Sequence, residues 1–263
     1  MTLHPSFICF VVNLDRSPDR LARISVQLRQ ANIEFCRFAA VDGSKIDWRS
    51  PNMLDIQSYH RHHGKEPTAG EVGCFASHVG LMRTFLEGPH AYCLVLEDDA
   101  IVPTDFLSLV ESLIVSPACG DMTMLYGNRP GLAVKTARLG DGKHDVVGYF
   151  GKQTGTVAYL INRKAARAYV DNLLPMRLPI DHAFGQPWVF GIRMRGVRPF
   201  PIQTGQFQSD IGQTGHKFKW HRRLATYRSR FATVFRRIMY HIWRDPIWVQ
   251  SHKVDSTSKS DTY

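Results

Sequence analysis

Glu97, Asp98 and Asp99 stand in a row at the end of the apolar run Ala91 to Leu96, and Ala100-Ile101-Val102 follows them. Three neighbouring carboxylates repel one another and resist desolvation, so a strand end built for stability alone would avoid them. A divalent cation reverses that balance, because hard oxygen ligands at a strand end suit Mg²⁺ or Mn²⁺. Open α/β sheets also bind ligands beyond the carboxyl ends of their strands. The triplet therefore reads as a meeting place for a metal and a phosphorylated ligand. An acidic turn that only solvates a strand end is the other reading, since short acidic motifs are common. His60, His62 and His63 form a second group with ligand chemistry. They have no acidic or Cys partner at a telling spacing, and the polar stretch Ser44 to Thr68 around them reads as a solvated loop.

The elements around the triplet have the order of an α/β protein. Phe7 to Leu14 is a continuous apolar run, the pattern of a strand buried on both faces. Ser17 as N-cap, Pro18 in the first turn and Asp19 near the positive end predict a helix next. A second strand is expected over Ile33 to Ala40, and strand, helix, strand opens many nucleotide-binding sheets. Gly70 to Leu86 reads as a helix, stopped by Gly88-Pro89 before the acidic strand. Further helices are expected over Asp105 to Val115 and Arg163 to Leu174, with strands over 121–127, 146–150, 155–161 and 197–202. Arg129 to Gly142 reads as turns, and Pro179 delivers Asp181 at the start of a loop.

With 44% hydrophobic and 21% charged residues in 263, the chain reads as globular with ample core. No run approaches the roughly 20 apolar residues of a spanning helix. The start carries no basic segment followed by an apolar one, and five cysteines without C-x-x-C spacing suggest reduced thiols; a cytoplasmic address is expected. The formal charge of +10 is uneven, because residues 217–263 hold 11 Lys and Arg against 3 Asp and Glu. Leu224, Phe231, Phe235, Ile238 and Ile242 recur there at helical spacing among the cations. One face is apolar and the other basic, as in a helix lying on an anionic membrane surface. A helix packing its apolar stripe on the body is the alternative. Residues 1–216 are expected to form the catalytic domain and 217–263 a basic amphipathic tail.

Asn13-Leu14-Asp15-Arg16-Ser17-Pro18-Asp19-Arg20, Ala40-Val41-Asp42-Gly43, Gly70-Glu71-Val72-Gly73-Cys74 with Ser77-His78, and Leu96-Glu97-Asp98-Asp99-Ala100 occur in this order. Gly155 to Tyr159 and Pro179-Ile180-Asp181 follow. The set resembles glycosyltransferase family 25, the lipopolysaccharide and lipooligosaccharide β-galactosyltransferases, whose relatives include collagen galactosyltransferases. The resemblance spans residues 7 to about 211 and implies a GT-A-like, Rossmann-type fold binding a UDP-sugar beside Mn²⁺ or Mg²⁺. It implies inverting transfer, usually of galactose, to a hydroxyl of a glycolipid or oligosaccharide acceptor. Asp99 becomes the expected metal ligand, with Asp98 assisting and Glu97 meeting ribose or backbone. His216 is a further candidate ligand, and Ser209 and Asp210 could return a ligand after the last strand. Asp181 is the expected base, an N-cap being its other use. Asn13, Arg16, Arg20 and Asp42 are expected at uracil, ribose or phosphate, although Arg20 could pair with Asp19 or Asp42 and Asp42 could serve a turn. Glu71 and His78 are motif positions, for substrate or for a buried His–carboxylate bond.

Three rival readings are weaker, one of them a family member that keeps the fold but only binds sugar, against which the intact Glu97-Asp98-Asp99 argues. The Arg- and aromatic-rich tail suggests nucleic-acid binding, but the near-neutral body argues against it. A metal-dependent phosphohydrolase needs more ligands at two strand ends than the sequence offers.

Overall fold

The computed structural model describes residues 6–128, 131–205, 215, 216 and 218–247. It opens with β1 (Phe7–Asn13), α1 (Pro18–Gln30) and β2 (Cys36–Ala39), the unit anticipated from the apolar runs. Pro18 takes the first turn of α1 and Asp19 lies at its positive end, while Asn32, at φ 56°, turns the chain away. Next come α2 (Ile56–His63) and α3 (Ala69–Glu87). The acidic strand is β3 (Tyr92–Glu97), followed by the two-residue β4 (Ala100–Ile101) and α4 (Phe106–Val115). Strands β5 (Met122–Met124), β6 (Ala133–Arg138), β7 (Asp145–Tyr149) and β8 (Ala158–Asn162) lead into α5 (Arg163–Asn172). Short helices α6 (Ile180–Phe184) and α7 (Pro187–Phe190), strands β9 (Met194–Arg198) and β10 (Gln203–Thr204), and α8 (Leu224–Trp243) complete the described chain.

Eight strands form one mixed sheet in the order β2-β1-β3-β8-β5-β9-β7-β6. β1 runs parallel to β2 and β3, and the antiparallel β8 then joins β3 to β5. Alternation along β1 sends Phe10 and Val12 to the face covered by α3, α5 and α6, and Phe7, Cys9 and Val11 to the face covered by α1 and α4. Both faces are buried, so the sheet is the middle of three layers. The ends of β1, β2 and β3 lie side by side and bring Asn13, the Val41-Asp42-Gly43 loop and Glu97 to one edge.

The structure departs from the sequence reading in several places. Ser44 to Thr68 is not one solvated loop, because α2 forms within it and buries Tyr59 and His63. The stretch read as turns contains β6, an edge strand paired, among the described residues, only with β7. Asp181 lies inside α6 rather than at a loop start or an N-cap, Pro179 holding the cap position. Ser209 and Asp210 lie outside the described residues.

Helix α8 is amphipathic as anticipated, but neither alternative drawn from the sequence foresaw that its polar side faces the body. Thr226, Arg237, Tyr240 and His241 are buried, whereas Leu224, Phe231, Val234, Phe235, Ile238 and Ile242 are exposed. Its carboxyl end is clamped to the sheet: Arg195 of β9 is fully buried and makes two 2.6 Å bonds to Asp245. Tyr240 donates to the Ile192 carbonyl at 2.6 Å. Among the described residues, no helix is long and apolar enough to cross a membrane.

Candidate active site

The cleft at the ends of β1, β2 and β3 begins with a contact only glycine permits. A Cβ on Gly73 would lie 2.6 Å from the Val41 carbonyl oxygen and 2.7 Å from the Gly43 nitrogen. One on Gly43 would lie 1.8 Å from the Ala69 oxygen. The first turns of α3 thereby press against the loop after β2. Ser77 fastens the contact by accepting from the Val41 N–H at 2.8 Å and donating to the Gly73 carbonyl at 2.7 Å. Much of the Gly-Glu-x-Gly-Cys motif is thus a packing device that shapes one wall.

Glu71 belongs to that device. Its carboxylate accepts from the Thr68 N–H at 3.0 Å and the Tyr59 hydroxyl at 3.1 Å, while Thr68 Oγ1 accepts from the Glu71 N–H. This is a capping box at the start of α3. Expected at substrate or in a buried His–carboxylate bond, Glu71 here gives its Oε2 to the start of α3, and it is not among the described residues that line the cleft.

A cavity of about 160 Å³ lies between these loops and the acid triplet, lined among others by Arg16, Arg20, Asp42, His78, Asp98 and Asp99. Larger cavities lie beneath α8, away from the acids. Asp98 is held on both sides, by Arg20 Nη2 at 2.7 Å and by Asn13 Nδ2 at 2.7 Å. Asn13 is itself fixed by Arg37, which donates to its Oδ1 at 3.0 Å. Arg20 also approaches Asp99, at 3.7 Å, so it pairs with the acids rather than with Asp19 or Asp42. Asp42 instead accepts from Arg16 at 2.5 Å and from the Ser44 N–H at 3.0 Å, capping a single 3-10 turn. Hydrogen bonds from Ser44 first, and then nearby cations, hold its carboxyl below the ordinary range.

The three consecutive acids have three different environments. Burial would raise Glu97, but hydrogen bonds from His78 and Thr156 hold it low. His78, fully buried, makes a 2.8 Å bond to Tyr159 and sits 3.4 Å from Glu97. The His–carboxylate contact anticipated for α3 exists, with Glu97 rather than Glu71 as its acid. Asp98 has both oxygens engaged. Asp99 is pushed up to about 6 by burial and by the Glu97 charge, and its Oδ1 is buried without a hydrogen-bond partner. An orphaned carboxylate oxygen beside a cleft suits a hard cation, so the residues present fit a divalent metal at Asp99. They fit less well at Asp98, whose lone pairs are directed at Asn13 and Arg20. Cys74, His78 and Glu97 also bring ligand atoms within 4.8 Å of one another. Burial keeps the Cys74 thiol protonated and His78 already has partners, so that trio reads as a structural network.

Asp181 connects to the triplet through one loop. Its carboxylate accepts from the His182 N–H at 2.8 Å and from the Gly155 N–H, Gly155 standing at φ 108°. Thr156, the next residue, donates to Glu97 at 2.5 Å. Burial raises the Asp181 carboxyl, against the Lys152 charge and these two N–H groups, and Glu97 adds to the rise. His216 is exposed, its carbonyl accepting from the Glu66 N–H at 3.1 Å, and it does not line the acid cleft.

Arg37, Thr156 and Tyr159 were not foreseen as parts of the site. Thr156 and Tyr159 lie in the Gly155 to Tyr159 segment that the sequence singled out without giving either residue a role, and the signal for Arg37 is only its place in β2.

A family described as glycosyltransferase family 25 (LPS biosynthesis protein) matches residues 7–184. The chain belongs to glycosyltransferase family 25. The match takes in every candidate site residue named above except Ser209, Asp210 and His216. Human procollagen galactosyltransferase 2 is 30% identical over 132 residues, covering 48% of this chain and 21% of that protein. A procollagen lysyl hydroxylase and glycosyltransferase of Acanthamoeba polyphaga mimivirus is 29% identical over 198 residues, covering 66% and 21%. A bovine protein named a probable inactive glycosyltransferase 25 family member 3 is 27% identical over 180 residues, covering 65% and 30%. The chain thus spans less than a third of these curated relatives, and family 25 includes proteins named as inactive as well as galactosyltransferases.

Proposed function

We propose that this family 25 chain is an inverting, metal-dependent glycosyltransferase of GT-A-like fold. It moves a hexose, galactose first among candidates, from a UDP-sugar to a hydroxyl of a lipopolysaccharide or lipooligosaccharide glycan. The observation that carries the reading is the unpartnered Oδ1 of Asp99, a residue that lines a cleft walled by the loops after β1 and β2. The galactosyltransferase names of the relatives support the donor, and the family description supports the acceptor. The procollagen relatives favour a protein acceptor as the second reading, with the same donor chemistry.

Each residue has a separable task in this mechanism. Asp99, with Asp98 behind it, would hold Mn²⁺ or Mg²⁺, which when bound supplies positive charge to a departing diphosphate. Arg20 and Arg16 line the same cleft and can meet phosphate or ribose oxygens, and Asn13 fixes Asp98 in place. Asp181 takes the proton of the acceptor hydroxyl, and its upward-shifted carboxyl suits that work near neutral pH. The bond network through Gly155 and Thr156 sets Asp181 relative to Glu97.

The test is UDP release from UDP-galactose, UDP-glucose and UDP-N-acetylhexosamines with Mn²⁺, with and without acceptor. One donor should be preferred, and Asp181→Asn should lower transfer roughly 10²- to 10⁴-fold while UDP affinity stays unchanged. No turnover of any donor would reject the reading, and full transfer by Asp181→Asn would remove Asp181 as base.

The outward face of α8 supports an anionic membrane as partner, the inner face of a bacterial cytoplasmic membrane being the surface proposed. Phe231 and Trp243 are 76% and 74% exposed, and exposed Arg228 and Arg236 flank the stripe. A stripe of large apolar side chains edged by guanidinium groups matches acyl chains beneath acidic headgroups. Binding of nucleic acid is not part of the proposal.

A further inference from the structure

The inward face of α8 closes a cavity of about 490 Å³ against α2 and α6. Lys65, Lys152, Arg223, Arg230 and Arg237 line it, and among the described residues no Asp or Glu does. Cations gathered around one space repel one another, so packing alone gives no reason for the set. Two of them are anchored through neutral groups. Arg237 donates to the carbonyls of Phe150 and Gly185, both at 3.4 Å, and Arg230 reaches the His63 carbonyl at 3.5 Å. These bonds fix the guanidinium groups without cancelling their charge.

His63 provides a second, independent observation. It lines the cavity at 5% exposure, its ring 5.2 Å from that of Tyr59 and 4.8 Å from that of His182. Both of its ring nitrogens lack a hydrogen-bond partner. Buried polar groups nearly always find partners, so an unsatisfied imidazole among cations marks the position of an absent contact. Burial, and then the surrounding positive charge, pushes its pKa down to about 3. The ring is neutral and offers one N–H.

The cavity also adjoins the proposed base. His182 on its wall follows Asp181 directly in α6, and Lys152 donates to His182 Nε2 at 2.9 Å. The Lys152 charge is felt at the Asp181 carboxyl. A group bound among these side chains therefore lies against the element that carries Asp181. The volume suits a sugar unit with a charged substituent. Leu178, Gln186, Ser229 and Thr233 complete the lining with neutral surface.

We propose that this cavity is an anion subsite for the acceptor: it holds a phosphate or carboxylate carried by the acceptor glycan and so selects which hydroxyl reaches Asp181. The proposal rests on the glycosyltransferase reading and deepens it, and it makes α8 part of the substrate site.

The experiment is isothermal titration of the full chain, with Mn²⁺ and UDP present, using glucose 6-phosphate, glucuronate and glucose as probes. At least one charged sugar should bind roughly tenfold tighter than glucose, with the advantage shrinking as salt rises. The better probe distinguishes phosphate from carboxylate. The double variant Arg223→Gln/Arg230→Gln should lose that advantage and keep its affinity for UDP. Arg230 is exposed and Arg223 half-buried, and the retained UDP affinity reports that the variant is folded. Equal binding of glucose and both charged sugars, or an undiminished preference in the variant, overturns the subsite. Failure of the wild type to bind UDP would instead indict the donor cleft, while the charged-sugar comparison still reports on the cavity.

Discussion

Asp98 and Asp99 differ only in their neighbours, and those neighbours assign them different work. Asn13 and Arg20 use both oxygens of Asp98, whereas Asp99 is half-buried with one buried oxygen unsatisfied. The residues themselves offer three acids without ranking them, and the family resemblance alone put Asp99 first; the physical reason lies partly in Asn13, 85 positions away from Asp98. Asp99 makes a measurable pH signature in the metal-free protein. Its native pKa, near 6, lies above the ordinary 3.8, so between those values the native state keeps a proton that the unfolded chain releases. Stability falls as pH rises through that window and levels off above it, by about 3 kcal/mol at most. Urea unfolding from pH 4 to 7 should show a steeper loss of stability in the wild type than in Asp99→Asn, which keeps only the contributions of the other shifted groups, Asp181 among them. Parallel curves would mean that the Asp99 carboxyl is not raised by its surroundings as described.

At the scale of elements, the donor cleft depends on α3 lying hard against the loop after β2. Gly73→Ala places a methyl within 2.7 Å of two backbone atoms, neither able to swing aside. The variant should lose about 1–3 kcal/mol of stability and bind UDP more weakly; an unchanged melting temperature with wild-type UDP affinity would show that the loop yields. The central strands were legible because β1 and β3 are buried on both faces and read as unbroken apolar runs. Helix α2 was not, because its buried positions are filled by Tyr59 and His63, which a hydrophobic pattern does not count. Strand β6, half-exposed at the sheet edge, alternates too weakly to announce itself. The capping box at Thr68 and Glu71 was written in the sequence as T-x-x-E, but the family motif drew Glu71 toward the substrate.

For the whole molecule, α8 is bound by polar contacts on one side and presents apolar surface on the other. Its amphipathic pattern was plain in the sequence, but its orientation was not. The side that docks is specified by partners on α2, β7 and β9, among them the His241 ring bonded to the Tyr149 carbonyl at 3.0 Å. Removing the segment wholesale would leave the fully buried Arg195 without Asp245, and an uncompensated buried charge typically costs about 3–5 kcal/mol. Exposed positions give a cleaner test of the membrane proposal. Phe231→Ser/Phe235→Ser should fold normally, since both side chains face outward, and lose roughly tenfold or more in sedimentation with phosphatidylglycerol vesicles. Wild-type protein should bind phosphatidylcholine vesicles far less well. Equal sedimentation of variant and wild type would leave the stripe without a lipid partner.

The central claim, that Asp99 holds a cation which joins the chain to a nucleoside diphosphate, is tested most directly by calorimetric binding of UDP with and without Mn²⁺. Wild type should bind UDP roughly tenfold tighter or more when Mn²⁺ is present, and Asp99→Asn should show no such gain. An Asp99→Asn protein that binds UDP as tightly as wild type, with the same dependence on Mn²⁺, would contradict the account.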